Sequence, residues 1–235
     1  MLPIRDDEAG RPGGPALVTL AIIIINVVVF LYEVALGAGV EPFIQTYGAV
    51  PREILTGQDV PPEGPNPVYL QLLTSMFLHG GWLHLIGNMA FLRVFGDDIE
   101  DRLGPLGYVL FYLGTGLVAS LTHIFLAGPE STVPSVGASG AIAGVMGAYL
   151  VLFPGRRVHV LLPAMFFRTA RVSALMLLGM WFVLQFLNGL AALSQDTAQT
   201  GGVAVWAHVG GFVAGVLVGL LLRGRSAVRQ QAFSR

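Results

Sequence analysis

Hydrophobic positions in this chain fall into long unbroken runs. Between successive Asp, Glu and Arg residues, six stretches of at least twenty residues carry no formal charge: 12–32, 64–92, 103–129, 131–155, 172–195 and 197–222. A helix needs roughly 20 mostly apolar residues to cross a bilayer. The pattern therefore predicts an all-α polytopic bundle of six transmembrane helices. The first span is expected from about Ala16 to Leu36, the second from about Gln71 to Phe95, and the third is expected to end at Ala127. Between the first two lies a long connection, residues 38–68, closed by Pro61-Pro62-Glu63-Gly64-Pro65-Asn66-Pro67. A loop of that length is more often functional or membrane-associated than idle. Gly96 to Arg102 reads as a turn, and Gly128 to Ser135 as a short connection.

Composition agrees with this pattern. With 54% hydrophobic and 11% charged residues, almost no chain is left for a water-soluble domain. The expected organisation is one membrane domain, residues 16–222, between a short tail, 1–15, and a basic tail, 223–235. The first apolar run follows Pro12-Gly13-Gly14-Pro15 and ends without a small-residue cleavage site, so it reads as a retained span. The chain has no lysine. With both termini cytoplasmic, twelve of the thirteen arginines lie inside and Arg52 alone lies outside, as the positive-inside rule requires. The basic tail then reads as a topology anchor near anionic lipid. A net charge of −1 points to no nucleic-acid partner, and the lack of cysteine excludes disulfides, thiolate nucleophiles and cysteine-ligated metals.

Polar residues inside such runs are costly and are functional candidates. Ser139 stands in Gly137-Ala138-Ser139-Gly140, and His208 in Ala207-His208-Val209-Gly210-Gly211. The fourth span runs from near Ser139 to Pro154-Gly155, about fifteen residues or roughly 22 Å, too short for a hydrocarbon core of about 30 Å. The serine is therefore expected below the outer surface, at the top of a shortened helix, facing a wet cavity. Gly140, Gly144 and Gly147 flank Ser139, while Gly211, Gly215 and Gly219 follow His208 at helical spacing. Small-residue stripes of this kind permit close helix approach. Facing stripes would bring Ser139 and His208 together, a nucleophile beside a base.

His84 and Asn88, four apart, project from one helix face. Two donors there suit an oxyanion better than a metal, for which a third ligand is expected. No metal and no cofactor are expected. His79 lies about 140° around the helix from His84 and reads as a hydrogen bond pinning the outer loop. His123 and His159 read as structural or interfacial. Trp181, Phe182, Gln185, Phe186 and Asn188 could line an entry seam in the fifth span, although aromatics are ordinary on a lipid-facing helix. The second, fourth and sixth runs contain no acidic residue, so a Ser, His and Asp triad is unsupported.

His79-Gly-Gly-Trp-Leu-His84-Leu-Ile-Gly-Asn88, Gly137-Ala-Ser139-Gly140 and Ala207-His208 with its trailing glycines together resemble the signature of the rhomboid intramembrane serine proteases. The resemblance covers the six-helix core, about residues 16–222. It implies Ser139 as nucleophile and His208 as general base, with His84, Asn88 and the Ser139 backbone N–H as oxyanion hole. His79, Gly137, Gly140, Gly211 and Gly215 would support them. It further implies single-span membrane proteins as substrates, a first outer loop lying partly in the outer leaflet, and a fifth span acting as a lateral gate beside the second. The compact form resembles bacterial members, which implies an inner membrane with the site open to the outer side. Two positions depart from the family pattern. Leu70-Gln71 stands where many members have Trp-Arg, and Ala143 where some carry a tyrosine that stacks on the catalytic histidine. Two other readings are a silent rhomboid-like protein that binds membrane helices and a small transporter relaying protons through its histidines. The full polar set disfavours the first. The second would call for an inverted repeat and a mid-membrane acid, and neither is seen.

Overall fold

Within lipid each backbone polar group must be satisfied inside the protein, and a helix does this within one segment. A computed structural model describes residues 1–7, 15–162, 168–193 and 205–233, without the side chains of 192, 193 and 225–233. The described chain is mostly helical. Its elements are β1 (Leu2–Asp6), α1 (Leu17–Ala35), α2 (Val40–Tyr47), α3 (Pro51–Thr56), α4 (Gln71–Thr74), α5 (Trp82–Leu103), α6 (Pro105–Ala127), α7 (Ser139–Leu152), β2 (Arg157–Leu162), β3 (Arg168–Ser173), α8 (Ala174–Leu193) and α9 (Val205–Phe233). Among the described residues four helical stretches are long and apolar enough to cross a membrane: Leu17–Ala35, Pro105–Ala127, Ala174–Ala191 and Val205–Gly224. Pro12, Gly13 and Gly14, the connection 194–204, and the tail arginines Arg225, Arg229 and Arg235 as side chains lie outside the described residues.

The second helix corrects the expectation most. The segment from Gln71 is broken into short turns, and α5 begins only at Trp82. It then runs without interruption through Gly96–Arg102, the expected turn, to Leu103. The chain reverses instead at Gly104, whose φ of +73° suits glycine, with Pro105 opening α6. The charges do not stop the helix because the protein itself supplies their partners. Glu100, buried, accepts from the backbone N–H groups of Val18 and Thr19 at 2.9 and 2.7 Å. It thereby caps α1, whose own N-cap residue Ala16 offers no side-chain bond. Gly96 lies against Tyr108 and Thr19, where a methyl group would clash.

The fold is also not all-α. β1, β2 and β3 form an antiparallel sheet in that order, with Leu2 opposite Leu161, Asp6 opposite Val158 and Arg157 opposite Ser173. Residues 2–6, expected within a tail, are its first strand. In β2, Val158 and Val160 are buried while Arg157 is exposed, the alternation of a half-buried strand. A charge cluster joins this sheet to the helices. Tyr149 Oη donates to Asp6 at 2.7 Å, Arg156 bonds both Asp6 and Asp98, and its guanidinium lies 4.0 Å from the Phe153 ring centroid. Arg171 and His159 bond Asp7, and in that order they hold its carboxyl below the ordinary carboxylate range.

α7 is the axis of the core, with every residue from Gly140 to Tyr149 buried. Its glycines sit between two neighbours. A methyl group at Gly140 or Gly144 would strike Ala119 or Thr115 of α6, whereas one on Gly211 or Gly215 of α9 would fall onto the carbonyl oxygens of Gly140 or Gly144. The α9 stripe thus lies directly on the α7 backbone, while Gly140 and Gly144 turn their bare faces to α6 and Gly147 opens toward Phe212 of α9. At 14 residues α7 is as short as expected, about 21 Å. At the end of the bundle where α7 begins, the 38–68 connection holds α2 and α3 and is fastened by buried Gln71. The Gln71 Nε2 group donates to Glu53 and to the Thr46 carbonyl, and Oε1 accepts from Val50 N–H. Gln71 thus anchors the loop.

Candidate active site

Ser139 is the first residue of α7, and the first α-helical bond there runs from Ile142 N–H to Ala138 C=O at 3.0 Å. The N–H groups of a first helical turn have no intrahelical acceptor and are available to a ligand. The approach is set by Gly137, whose N–H donates to Ser75 C=O at 2.8 Å and whose φ of +127° few other residues adopt. Farther back, Ala49 and Ser135 exchange two backbone hydrogen bonds, at 3.0 and 2.9 Å, tying the approach to the long connection.

His208 lies in the first turn of α9 and is 7% exposed. Its Nε2 is 2.7 Å from Ser139 Oγ, and its Nδ1 is 2.9 Å from Gln185 Oε1 of α8. An amide oxygen only accepts, so Nδ1 carries the proton and Nε2 presents a lone pair to the serine hydroxyl. The indole of Trp181, one turn before Gln185, lies 5.7 Å from the imidazole, centroid to centroid.

His84 approaches from α5. Its Nδ1 accepts from Gly80 N–H at 3.4 Å, which leaves the proton on Nε2. That nitrogen faces the gap made by Gly137: a side-chain carbon there would stand 2.8 Å from His84 Nε2 and 3.5 Å from Ser139 Oγ. The absence of a side chain keeps open the space between donor and hydroxyl. Asn88, one turn farther along α5, is buried, and its Nδ2 donates to His79 Nε2 at 3.0 Å. His79 accepts there because its Nδ1–H is directed to Phe77 C=O at 3.3 Å. One Asn88 N–H remains for another acceptor. Rather than pinning the outer loop by its ring, His79 sets the Asn88 amide and lies 5.1 Å from the His84 ring. Its backbone N–H donates to both carboxylate oxygens of Glu33, each at 3.2 Å.

Ser139, His208, His84 and Gly137 thus come together, with Asn88 and His79 adjoining. Gly211 and Gly215 serve the α7–α9 contact, and Gly140 the close approach of α6. His123 takes no part in these bonds, and His159 belongs to the distant sheet. Sequence reasoning missed the roles of Gln185, Trp181 and Glu33. The available signal was a strongly polar residue within an expected span, Glu33 in the first and Gln185 in the fifth, whereas Trp181 offered none beyond being aromatic. Among the described residues no group of three or more His, Asp or Glu side chains could hold a metal ion. A small cavity lined by Ser75, Met76, Gly116, Ser120, Gly137 and Ser139 adjoins the hydroxyl. A nucleophile bonded to a base, beside donors aimed at a vacant point, has the parts needed for acyl transfer.

Comparison with known proteins agrees in kind. The rhomboid domain family model matches residues 66–225. Similar proteins include RHOMBOID-like protein 5 of Arabidopsis thaliana, 32% identical over 181 residues, which are 77% of this chain and 50% of that protein. Rhomboid protease GluP of Bacillus subtilis (strain 168) is 27% identical over 219 residues, 92% of this chain and 38% of that protein. Inactive RHOMBOID-like protein 8 of Arabidopsis thaliana is 28% identical over 133 residues, 56% of this chain and 34% of that protein. The chain matches half or less of the length of each of these relatives.

Proposed function

The chain belongs to the rhomboid family, and from that premise we propose that it is an intramembrane serine endopeptidase acting through Ser139 and His208. The observation that carries this reading is the 2.7 Å hydrogen bond between Ser139 Oγ and His208 Nε2. In the proposed reaction Ser139 Oγ attacks the scissile carbonyl and its proton passes to His208 Nε2. The tetrahedral oxyanion accepts from His84 Nε2–H, the free Asn88 N–H and the Ser139 backbone N–H. The imidazolium then protonates the departing amine, leaving an ester on Ser139. Water attacks that ester with His208 again as base, which releases the acid and restores the hydroxyl. His208 leans on a neutral amide rather than a carboxylate, so no anion need be buried to orient it.

The substrates proposed are single-span membrane proteins cut near their outer boundary. In this reading α1, α5, α6, α7, α8 and α9 are six spans with both termini on the arginine-rich cytoplasmic side. The shortness of α7 supports a serine placed below the outer surface. The test is cleavage of a single-span reporter, with small residues near its outer boundary, by the purified protein and by Ser139→Ala and His208→Ala. Both variants should fold and lose cutting. Cutting that survives Ser139→Ala overturns the mechanism. The similarity to a relative named inactive keeps one rival in view, a silent helix-binding protein. That rival predicts that a serine-directed electrophilic probe fails to label Ser139, whereas the protease reading predicts labelling that Ser139→Ala abolishes.

A further inference from the structure

α8 turns a broad apolar face outward beside the site. Leu175, Met176, Val183, Leu184 and Leu187 are each more than half exposed. Yet two of its residues, four apart and so on one face, turn inward to His208: Trp181 lies against the ring and Gln185 Oε1 stands 2.9 Å from Nδ1. α8 is otherwise held to α9 through stacking of Phe182 on Phe212, 4.7 Å between centroids, and an edge contact of Phe186 with Trp206.

A base that must take a proton at Nε2 is useless in the tautomer protonated there. Neutral imidazole exchanges between two forms, and the partner of the other nitrogen chooses between them. Here that partner is an amide oxygen supplied by a different helix from either the nucleophile or the base. Of the two ends of the amide it is Oε1 that stands 2.9 Å from Nδ1, and an amide oxygen only accepts, so the pair calls for hydrogen on Nδ1 and leaves Nε2 to accept from the serine hydroxyl.

We infer that Gln185 is a positioning residue for the proposed proteolysis: its Oε1 holds His208 in the Nδ1–H tautomer and fixes the ring toward Ser139, so that the base is correctly set only while α8 packs against α9. This rests on the protease reading for its catalytic meaning, but the tautomer itself can be measured without any substrate. Gln185 touches neither nucleophile nor scissile bond, and it acts through His208 alone.

The experiment is ¹⁵N NMR of the histidine side chains in the full-length protein, with the His208 signals identified by their loss in His208→Ala. Reporter kinetics would be measured on the parent, Gln185→Met and Gln185→Glu. The parent should show hydrogen on Nδ1 and a bare Nε2. Gln185→Met, of similar length but lacking the acceptor, should give mixed tautomers. Its kcat should fall about 10- to 100-fold, at or below the roughly 10²- to 10⁴-fold that general acid–base catalysis contributes as a whole, with KM within about twofold. Gln185→Glu restores an acceptor at the same reach and should recover the tautomer and most of kcat. A parent His208 protonated at Nε2 overturns the inference with no variant needed, whatever the folding of Gln185→Met. So does a folded Gln185→Met with parental tautomer and kcat. If the tautomer follows Gln185 as described but the parent cuts no reporter, the positioning inference stands and the protease reading fails.

Discussion

His84 and Asn88 differ in what fixes them. His84 is aimed by a backbone N–H at Nδ1, which leaves its Nε2–H facing the vacant point beside Gly137. Asn88 is aimed by His79, whose backbone is in turn held by Glu33 of α1. Removing one oxyanion donor typically lowers kcat by about 10²- to 10³-fold. His84→Ala is accordingly expected to lose that much in kcat, with KM and thermal unfolding nearly unchanged, as steady-state cleavage and circular dichroism would show. A loss below about tenfold would mean that His84 does not face the oxyanion. At this scale the candidate residues were legible, because His84, Asn88, Ser139 and His208 each sit in a local motif of a few residues. Gln185 was not, since it is a single polar residue 23 positions from its partner.

Two helices and their glycines decide where that chemistry happens. α9 can bring His208 to Ser139 only because Gly211 and Gly215 let its backbone lie on the carbonyls of Gly140 and Gly144. The obstacle to a methyl group there is backbone, which cannot turn aside as a side chain would. Gly215→Ala, two turns from His208, should therefore push α9 outward. Overpacking of this sort costs about 1–3 kcal/mol. The prediction is a lower unfolding midpoint together with weakened cleavage, and retention of both would show that the two helices separate more easily than their packing implies. The stripes themselves were readable from spacing. What spacing did not reveal is that the missing side chains of Gly140 and Gly144 face α6, so that α7 is enclosed by helices on both sides.

Across the whole molecule, the end far from Ser139 is fastened by one arginine. Arg156 joins Asp6 of β1 to Asp98 of α5, with its side chain 12% exposed and those of its partners 3% and 18%. Breaking a buried pair by removing one member costs about 3–5 kcal/mol, because the other charge is left without its counter-ion. Arg156→Ala is expected to destabilise the protein by about 3 kcal/mol or more in reversible unfolding, and to loosen β1, seen as faster amide exchange over residues 2–6. Unchanged stability would show that the remaining groups around Asp6 suffice. None of this was legible beforehand. β1 pairs with a strand some 155 residues later, and alternation over the six residues of β2 is a weak signal beside runs of twenty or more.

The sequence by itself determined the partition into long apolar segments, the shortness of α7 and the residues of the candidate dyad. These depend on transfer free energy and spacing summed over neighbours in the chain. Only the tertiary structure decided which partner each buried polar group would have: Gln185 for His208, Glu33 for the His79 backbone, Glu100 for the start of α1, and Asp6 and Asp98 for Arg156. The physical reason is that a hydrogen bond or ion pair is set by distance in space. A single polar residue in an apolar run shows that a partner is needed, but which one comes within reach depends on how the helices pack.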